Sequence, residues 1–363
     1  MALLQPGQPV RRGLQWVAGL YSLVTQLRLW CYRQGWFSIT RLPCRVVSVG
    51  NLTVGGTGKT PVVIFLAQRL LAKGQRVAIL SRGYKRTSTA PYFLVSSGSE
   101  LLAGPSEAGD EPFLIAQRCP QAIVAVGADR VALGRWVLEQ YPVDCIVLDD
   151  GFQHVALHRD VDLVLLDATD AAGLDALLPA GRLREPLTGL MRASAIIMTR
   201  AEVRQEVDAI RNRLRDAGPF PVPTIEVVFK PVLFVSVIGS KQESVGWGLK
   251  RKAWLVSGIG NGPSFRRSAE SLGVEIVGES AFEDHHHYTP SEIVHIRQAM
   301  QGTGSEIVLT TEKDGGKLSP LLTPSDPWWM LRVGAEVVHG EEPLRALLGL
   351  PLSENGQPLE ARA

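Results

Sequence analysis

The run VGNLTVGGTGKTP, residues 49–61, has the residue types needed to hold a polyphosphate. Gly55, Gly56 and Gly58 permit positive φ and close approach of backbone N–H groups to a ligand. Lys59 would reach the terminal phosphates, the Thr60 hydroxyl would bind Mg²⁺, and Thr53, Val54 and Thr57 complete the candidate loop. One position departs from the usual spacing of Gly, four residues, Gly-Lys and Ser or Thr: Thr53 stands where the first glycine belongs. A glycine turn without a ligand is the competing reading.

A phosphate loop asks for an acid at the end of another buried strand, to help hold the metal. CIVLDDGFQH supplies Asp149 and Asp150 there, although two acids after an apolar run also suit a helix cap or a turn. Transfer to an alcohol further needs a group that positions or deprotonates the hydroxyl. Asp110 and Glu111 of AGDEPFLIAQ head an expected helix, where capping is the alternative. FEDHHHYTP gathers Asp284, His285, His286 and His287. Adjacent histidines point in different directions, which favours one catalytic or orienting histidine over a triple metal ligand, but these residues alone do not decide.

The elements around these residues are short β-branched runs alternating with helical ones, the signature of α/β units on a parallel sheet. RVVSVG (45–50) reads as a strand, the glycine loop follows, and TPVVIFLAQRLLAKG has apolar residues at helical spacing until Gly74. Pro61 is compatible with the first turn, where its missing N–H is no loss. Further strands are expected at 76–80, 122–127, 144–150, 162–167 and 194–199, each apolar enough to be buried on both faces. The expected fold is a doubly wound, mainly parallel sheet of the phosphate-loop NTPase type. Residues 220–250 read as an extended connector into a second, smaller α/β unit. That unit holds AWLVSGIGN, a helix from about 263, VEIVG, a helix from Pro290, and EIVLTTEKD. The expected divisions are 1–42, 43–224 and 225–363, with the polar end of 340–363 mobile.

A chain of 363 residues has room for two domains, and 45% hydrophobic with 20% charged residues marks a globular protein. Cys31, Cys44, Cys119 and Cys145 form no CxxC pair, so neither a disulfide framework nor a zinc site is suggested. The net charge of +2 hides an asymmetry: thirteen Lys and Arg precede the first acid, Glu100. Such a basic third suits phosphates, an anionic membrane or nucleic acid. GLQWVAGLYSLVTQL, between Arg12 and Arg28, is too short and too polar to span a bilayer. Its aromatic residues, Trp16 and Tyr21, are followed by Trp30, Tyr32, Trp36 and Phe37, interleaved with Arg11, Arg12, Arg28, Arg33 and Arg41. That pattern fits a helix lying among anionic headgroups, or one packed on the protein's own core. Nucleic acid is not expected, because these aromatics sit in an apolar helical stretch with no recognition motif.

Eight segments in order, VGNLTVGGTGKTP, LSRGYKR, GDEP, DDGFQH, LPAGRLREP, SGIGN, FEDHHHY and LTTEKD, resemble the tetraacyldisaccharide 4'-kinase family of lipid A biosynthesis. They cover residues 49–314, and the family tolerates a substituted first loop position such as Thr53. The resemblance implies transfer of the γ-phosphate of ATP to the 4'-hydroxyl of a lipid-linked glucosamine disaccharide 1-phosphate. It places the protein peripherally at the cytoplasmic face of the bacterial inner membrane, which would give the basic aromatic N-terminus a purpose. By motif, Lys59 and Thr60 would hold phosphates and Mg²⁺, with Asp149 and Asp150 completing the metal site. Asp110 would be the general base paired with a histidine of the DHH motif, His285 before His286. Arg184 and Glu185 resemble further active-site residues. Gly262 of SGIGNGPSF is one residue more than the family's run usually carries. A monomer is expected, with a cleft between two units that closes on ATP and disaccharide and brings the DHH segment toward Asp110. A membrane-surface switch ATPase of the partitioning type is the alternative, but its loop carries a lysine where this chain has Val54.

Overall fold

The computed structural model describes residues 8–351, with side chains from residue 13 onward. The side chains of Arg11 and Arg12, and the end beyond residue 351 for which mobility was expected, lie outside the described residues. The first half runs α1 (Gln8–Arg33), β1 (Arg45–Asn51), α2 (Lys59–Ala72), β2 (Val77–Ser81), β3 (Phe93–Ser97), α3 (Pro105–Ala108), α4 (Asp110–Arg118), β4 (Ile123–Val126), α5 (Arg130–Gln140), β5 (Cys145–Asp149), β6 (Val161–Asp167), β7 (Ala195–Thr199) and α6 (Arg204–Ala217). The second half runs β8 (Thr224–Ser236), β9 (Gln242–Ser244), β10 (Lys252–Ser257), α7 (Gly262–Glu270), β11 (Glu275–Ala281), α8 (Pro290–Thr303), β12 (Ile307–Thr311), α9 (Glu312–Leu318), β13 (Trp328–His339) and α10 (Glu341–Leu348).

All these strands belong to one sheet, in the order β11-β10-β12-β13-β8-β7-β6-β1-β5-β2-β4-β3 with β9 paired to β8. The expected doubly wound, mainly parallel sheet is therefore what forms. Its central strands are apolar runs buried on both faces, as helices on either side require. β1 lies between β5 and β6, pairing Val47 with Val147 on one side and with Val161 on the other. Chain order reverses there, and in an open α/β sheet such a reversal leaves a crevice at the carboxyl ends of the strands.

Within the extended connector expected near 220–250 runs β8, thirteen residues long. Its first residues continue the parallel ladder from β7, while nearly all of it pairs antiparallel with β13. TIEVVFKPVLFVS is rich in β-branched and aromatic residues, and Pro231 is accommodated where the pairing register shifts. The chain then returns to the first half through α10. Leu344 and Leu348 are fully buried in the same cluster as Val47 and Ile79, and Arg45 donates to the Leu347 and Leu348 carbonyls at that helix's end.

Helix α1 buries Ala18 and Cys31 and leaves Trp16 81%, Leu20 63%, Leu23 63% and Leu27 55% exposed. Its inner side is tied to the body of the protein: Tyr21 donates to the Arg184 carbonyl at 2.8 Å and Arg28 to the Gln153 carbonyl at 3.3 Å. No helix among the described residues is long and apolar enough to cross a membrane.

Candidate active site

The glycine loop joins the carboxyl end of β1 to the start of α2, as its sequence requires. Gly58 caps α2 with φ +79, and a Cβ there would lie 2.4 Å from the Phe229 ring, so both backbone and space demand glycine. Thr53 needs no such freedom. It sits in an isolated antiparallel bridge with Leu183, and its side chain is buried. Asn51 fastens the turn by donating to the Thr53 carbonyl and the Thr57 hydroxyl, and Thr199 donates to the Thr57 carbonyl at 2.8 Å.

The bridge at Thr53 has a second effect: it carries Arg184 to the loop. Val54 N–H donates to the Arg182 carbonyl at 2.8 Å and Arg184 N–H to the Leu52 carbonyl at 2.7 Å. Arg184 then grips Asp150 through both carboxylate oxygens, at 2.9 and 3.0 Å, while Lys59 Nζ lies 3.7 Å from the same group. Burial would raise the Asp150 pKa, but these two cations outweigh it and hold it below the usual carboxylate range. Asp149 behaves oppositely. Its Oδ2 accepts from Ser81 at 2.7 Å, its Oδ1 is buried without a partner, and burial with the nearby Glu111 charge pushes its pKa up to about 7.

The second cluster faces the first across a cleft of about 990 Å³, lined from both halves of the chain. Asp110 is the first residue of α4, after Gly109, and its Oδ2 lies 3.1 Å from His285 Nδ1. His285 Nε2 lies 3.2 Å from Lys313 Nζ. An ammonium only donates, so Nε2 accepts and the ring proton sits on Nδ1, donated to Asp110. The Tyr84 ring packs edge-on against the same imidazole at 5.4 Å.

Thus Val54 to Thr60, Asp149, Asp150, Arg184 and His285 all line the cleft, with Asp110 directly behind His285. Three other expected residues are not brought there. His286 turns away, with Nε2 3.0 Å from Glu292 and its ring stacked on Phe282. Glu185 is buried among Gln153 and Arg192, accepting from both, so it braces Arg184 from behind rather than facing the cleft. Thr53 is buried beneath the loop. Gly262, the extra residue, becomes the first residue of α7, which Asn261 caps by accepting from Ser264 N–H.

Sequence reading passed over several residues that line the cleft. Ser81, Tyr84, His154 and Lys313 lie inside motifs already singled out, but nothing local indicated that they face inward. Arg130, only 5% exposed, carries no motif signal at all. His154 is held well below the usual imidazole pKa, at about 4, by burial and by Arg130. It therefore stays uncharged at neutral pH. Among the described residues no three His, Cys, Asp or Glu converge as a self-sufficient metal cage.

The cleft thus sets the glycine loop and the acids that follow β5 opposite an aspartate–histidine pair. The family model described as "Tetraacyldisaccharide-1-P 4'-kinase" matches residues 10–350. A protein of Anaeromyxobacter sp. (strain Fw109-5) named tetraacyldisaccharide 4'-kinase is 40% identical over 340 residues, 92% of this chain and 90% of its own. One of the same name from Syntrophus aciditrophicus is 39% identical over 308 residues, 83% of this chain and 82% of its own. The crystal structure of LpxK from Aquifex aeolicus in complex with ATP superposes with a TM-score of 0.76 at 34% identity, covering 94% of this chain and 98% of that one.

Proposed function

Since the chain belongs to the tetraacyldisaccharide 4'-kinase family and is an ATP-dependent kinase of a lipid-linked disaccharide in lipid A biosynthesis, we propose how its residues divide that reaction. The family favours this over the switch ATPase of the partitioning type. Val54 to Thr60 bind the ATP phosphates through backbone N–H groups, with Lys59 on the β- and γ-phosphates. Arg184 stabilises charge on the transferring phosphoryl group. Both cations pair with Asp150 beside the loop, and they turn to the phosphates when ATP binds.

Mg²⁺ fits the residues present: hard oxygen donors at Thr60, Asp149 and Asp150, one of them a buried, unpartnered carboxylate oxygen. So few protein ligands suit an ion that keeps several waters and takes oxygens from the phosphates. When bound, it supplies charge to the β- and γ-phosphate oxygens. Asp110, steadied by the His285 Nδ1–H, takes the proton of the 4'-hydroxyl as the new oxygen–phosphorus bond forms and the bond to ADP breaks.

The exposed apolar face of α1, with the basic residues around it, docks on an anionic leaflet at the cytoplasmic face of the inner membrane. There the acyl chains of the substrate remain in lipid while its sugar enters the cleft. The two units, divided near residue 225, close on ATP and acceptor to exclude water. Every charged group named comes from one chain, and a monomer suffices. The observation that carries this reading is the convergence of Lys59, Arg184, Asp149 and the Asp110–His285 pair on one cleft.

The test is ATP-dependent phosphorylation of a tetraacyl disaccharide 1-phosphate in detergent micelles, wild type against Lys59→Ala. Product bearing a second phosphate, lost in the variant, supports it. No product from folded, ATP-binding protein means that the acceptor is a different membrane-bound sugar.

A further inference from the structure

Behind the Asp110–His285 pair lies a lysine that no motif reading picked out. Lys317 is on α9, its side chain 7% exposed, with Nζ 3.2 Å from Asp110 Oδ2 and 3.1 Å from Asp314 Oδ1. The ammonium also stands over the Tyr288 ring, 5.6 Å from its centroid. Asp314 is itself fixed. It is fully buried, and its Oδ2 accepts from Gly258 N–H at 2.9 Å and from the Thr311 hydroxyl at 2.7 Å. The buried ammonium thus lies at ion-pair distance from two carboxylates, one of them that of Asp110.

Which oxygen of Asp110 the ammonium meets matters. His285 Nδ1 and Lys317 Nζ both meet Oδ2 of Asp110. Among the described residues neither His285 nor Lys317 touches Oδ1, so both contacts fall on the same carboxylate oxygen. One hydrogen bond from His285 and one buried positive charge on the same oxygen together oppose rotation of the carboxylate more than the hydrogen bond alone would. Effective alignment of a base within a few tenths of an ångström is worth far more to a rate than to binding.

We propose that Lys317 is a positioning residue for phosphoryl transfer: from the second half of the chain it locks the Asp110 carboxylate in the orientation that receives the hydroxyl proton. The neighbouring contacts support this assignment. Lys313, one turn earlier on α9, reaches Asp284, His285 and Glu111, and Glu312 pairs with Arg118 at 2.6 Å. Helix α9 thus meets α4 through three ion pairs, of which only the Lys317 pair acts on the expected base. Asp110 is held below the usual carboxylate range, the His285 bond and the Lys317 charge outweighing its burial. The groups facing it are His285, Lys317, Lys313, Tyr288 and the adjacent Glu111.

The inference rests on Asp110 as the base, so its test is a double-mutant cycle that separates the two. Lys317→Met is expected to lower kcat about tenfold or more while changing KM for ATP and for the disaccharide by less than about threefold, and Lys317→Arg to recover part of the loss. In an Asp110→Asn background, itself about a hundredfold slower, Lys317→Met should change kcat by less than about twofold, because the group it positions is gone. A merely structural lysine would lower kcat by the same factor in both backgrounds, and that result overturns the proposal. So does an unchanged kcat in Lys317→Met. An unchanged kcat in Asp110→Asn removes the base assignment itself, whatever Lys317 does. Should Lys317→Met fail to fold, judged by ATP binding and thermal melting, Lys317→Gln and Lys317→Arg carry the same cycle.

Discussion

Asp149 and Asp150 are neighbours in sequence with opposite environments, and the difference follows from one backbone turn. Asp149 ends β5 and stays buried, whereas Asp150 takes φ +57 and swings toward Lys59 and Arg184. That two acids follow a buried strand was legible from the apolar run before them. Which acid pairs with the cations was not, since that depends on φ at one residue. Gly58 shows the same limit from the other side. Its role as a glycine was legible from the loop, but the ring of Phe229 that covers it comes from a strand some 170 positions later. Gly58→Ala should weaken ATP binding about tenfold or more, since a left-handed non-glycine residue costs about 1–2 kcal/mol before any collision is counted. Titration calorimetry with an ATP analogue measures this, and affinity equal to wild type would show that the loop does not use this conformation when filled.

At the scale of elements, helix α1 carries two kinds of information. Its composition announced an amphipathic helix suited to headgroups, and the apolar residues do lie exposed along it. That Tyr21 and Arg28 fasten its inner side to the backbone at Arg184 and Gln153 was invisible in sequence, because such bonds involve carbonyls that carry no residue identity. Leu20→Asp should reduce sedimentation with anionic vesicles several-fold, through lost apolar burial and added repulsion, and leave ATP binding unchanged. Equal sedimentation of the two proteins would remove this face from membrane docking. The ion pair between Arg297 of α8 and Asp326, with bonds of 2.8 and 2.7 Å, fixes the turn before β13. The Arg297 hydrogen bonds bring the Asp326 pKa down from 3.8 to about 2. The folded-state pKa lies below the unfolded one, so the pair contributes stability above about pH 4 that is lost as pH falls toward 2. Asp326→Asn should therefore melt earlier than wild type at pH 7, and the gap should narrow in acid; a gap that is constant with pH would mean that the charge is irrelevant.

At the scale of the molecule, the feature that sequence reading missed is the join. β8 and β13 run antiparallel as a long ribbon that makes one sheet of both halves, and α10 returns to the first core. That ribbon joins the two halves of the chain, and α9 and α4, one from each half, meet through ion pairs. Closure would bend this ribbon and tighten that contact. Small-angle scattering should register a smaller radius of gyration with ATP analogue and disaccharide together than with either alone. An unchanged radius would mean that the cleft works at fixed width.

The sequence by itself determined the parts whose chemistry is local: a glycine loop between a buried strand and a helix, acids at a strand end, an amphipathic N-terminal helix, and helix α8, whose start at Pro290 is reinforced by the Thr289–Glu292 capping box. Those features follow from φ preferences, apolar periodicity and hydrogen bonds within a few residues. The tertiary structure brought His285, the histidine expected first, to Asp110 and turned His286 away, and it alone decided that Glu185 braces from behind and that Lys317 stands beside Asp110. Each of these depends on contacts between residues far apart in the chain, and a side chain's direction there is set by packing of the whole sheet rather than by its neighbours in sequence.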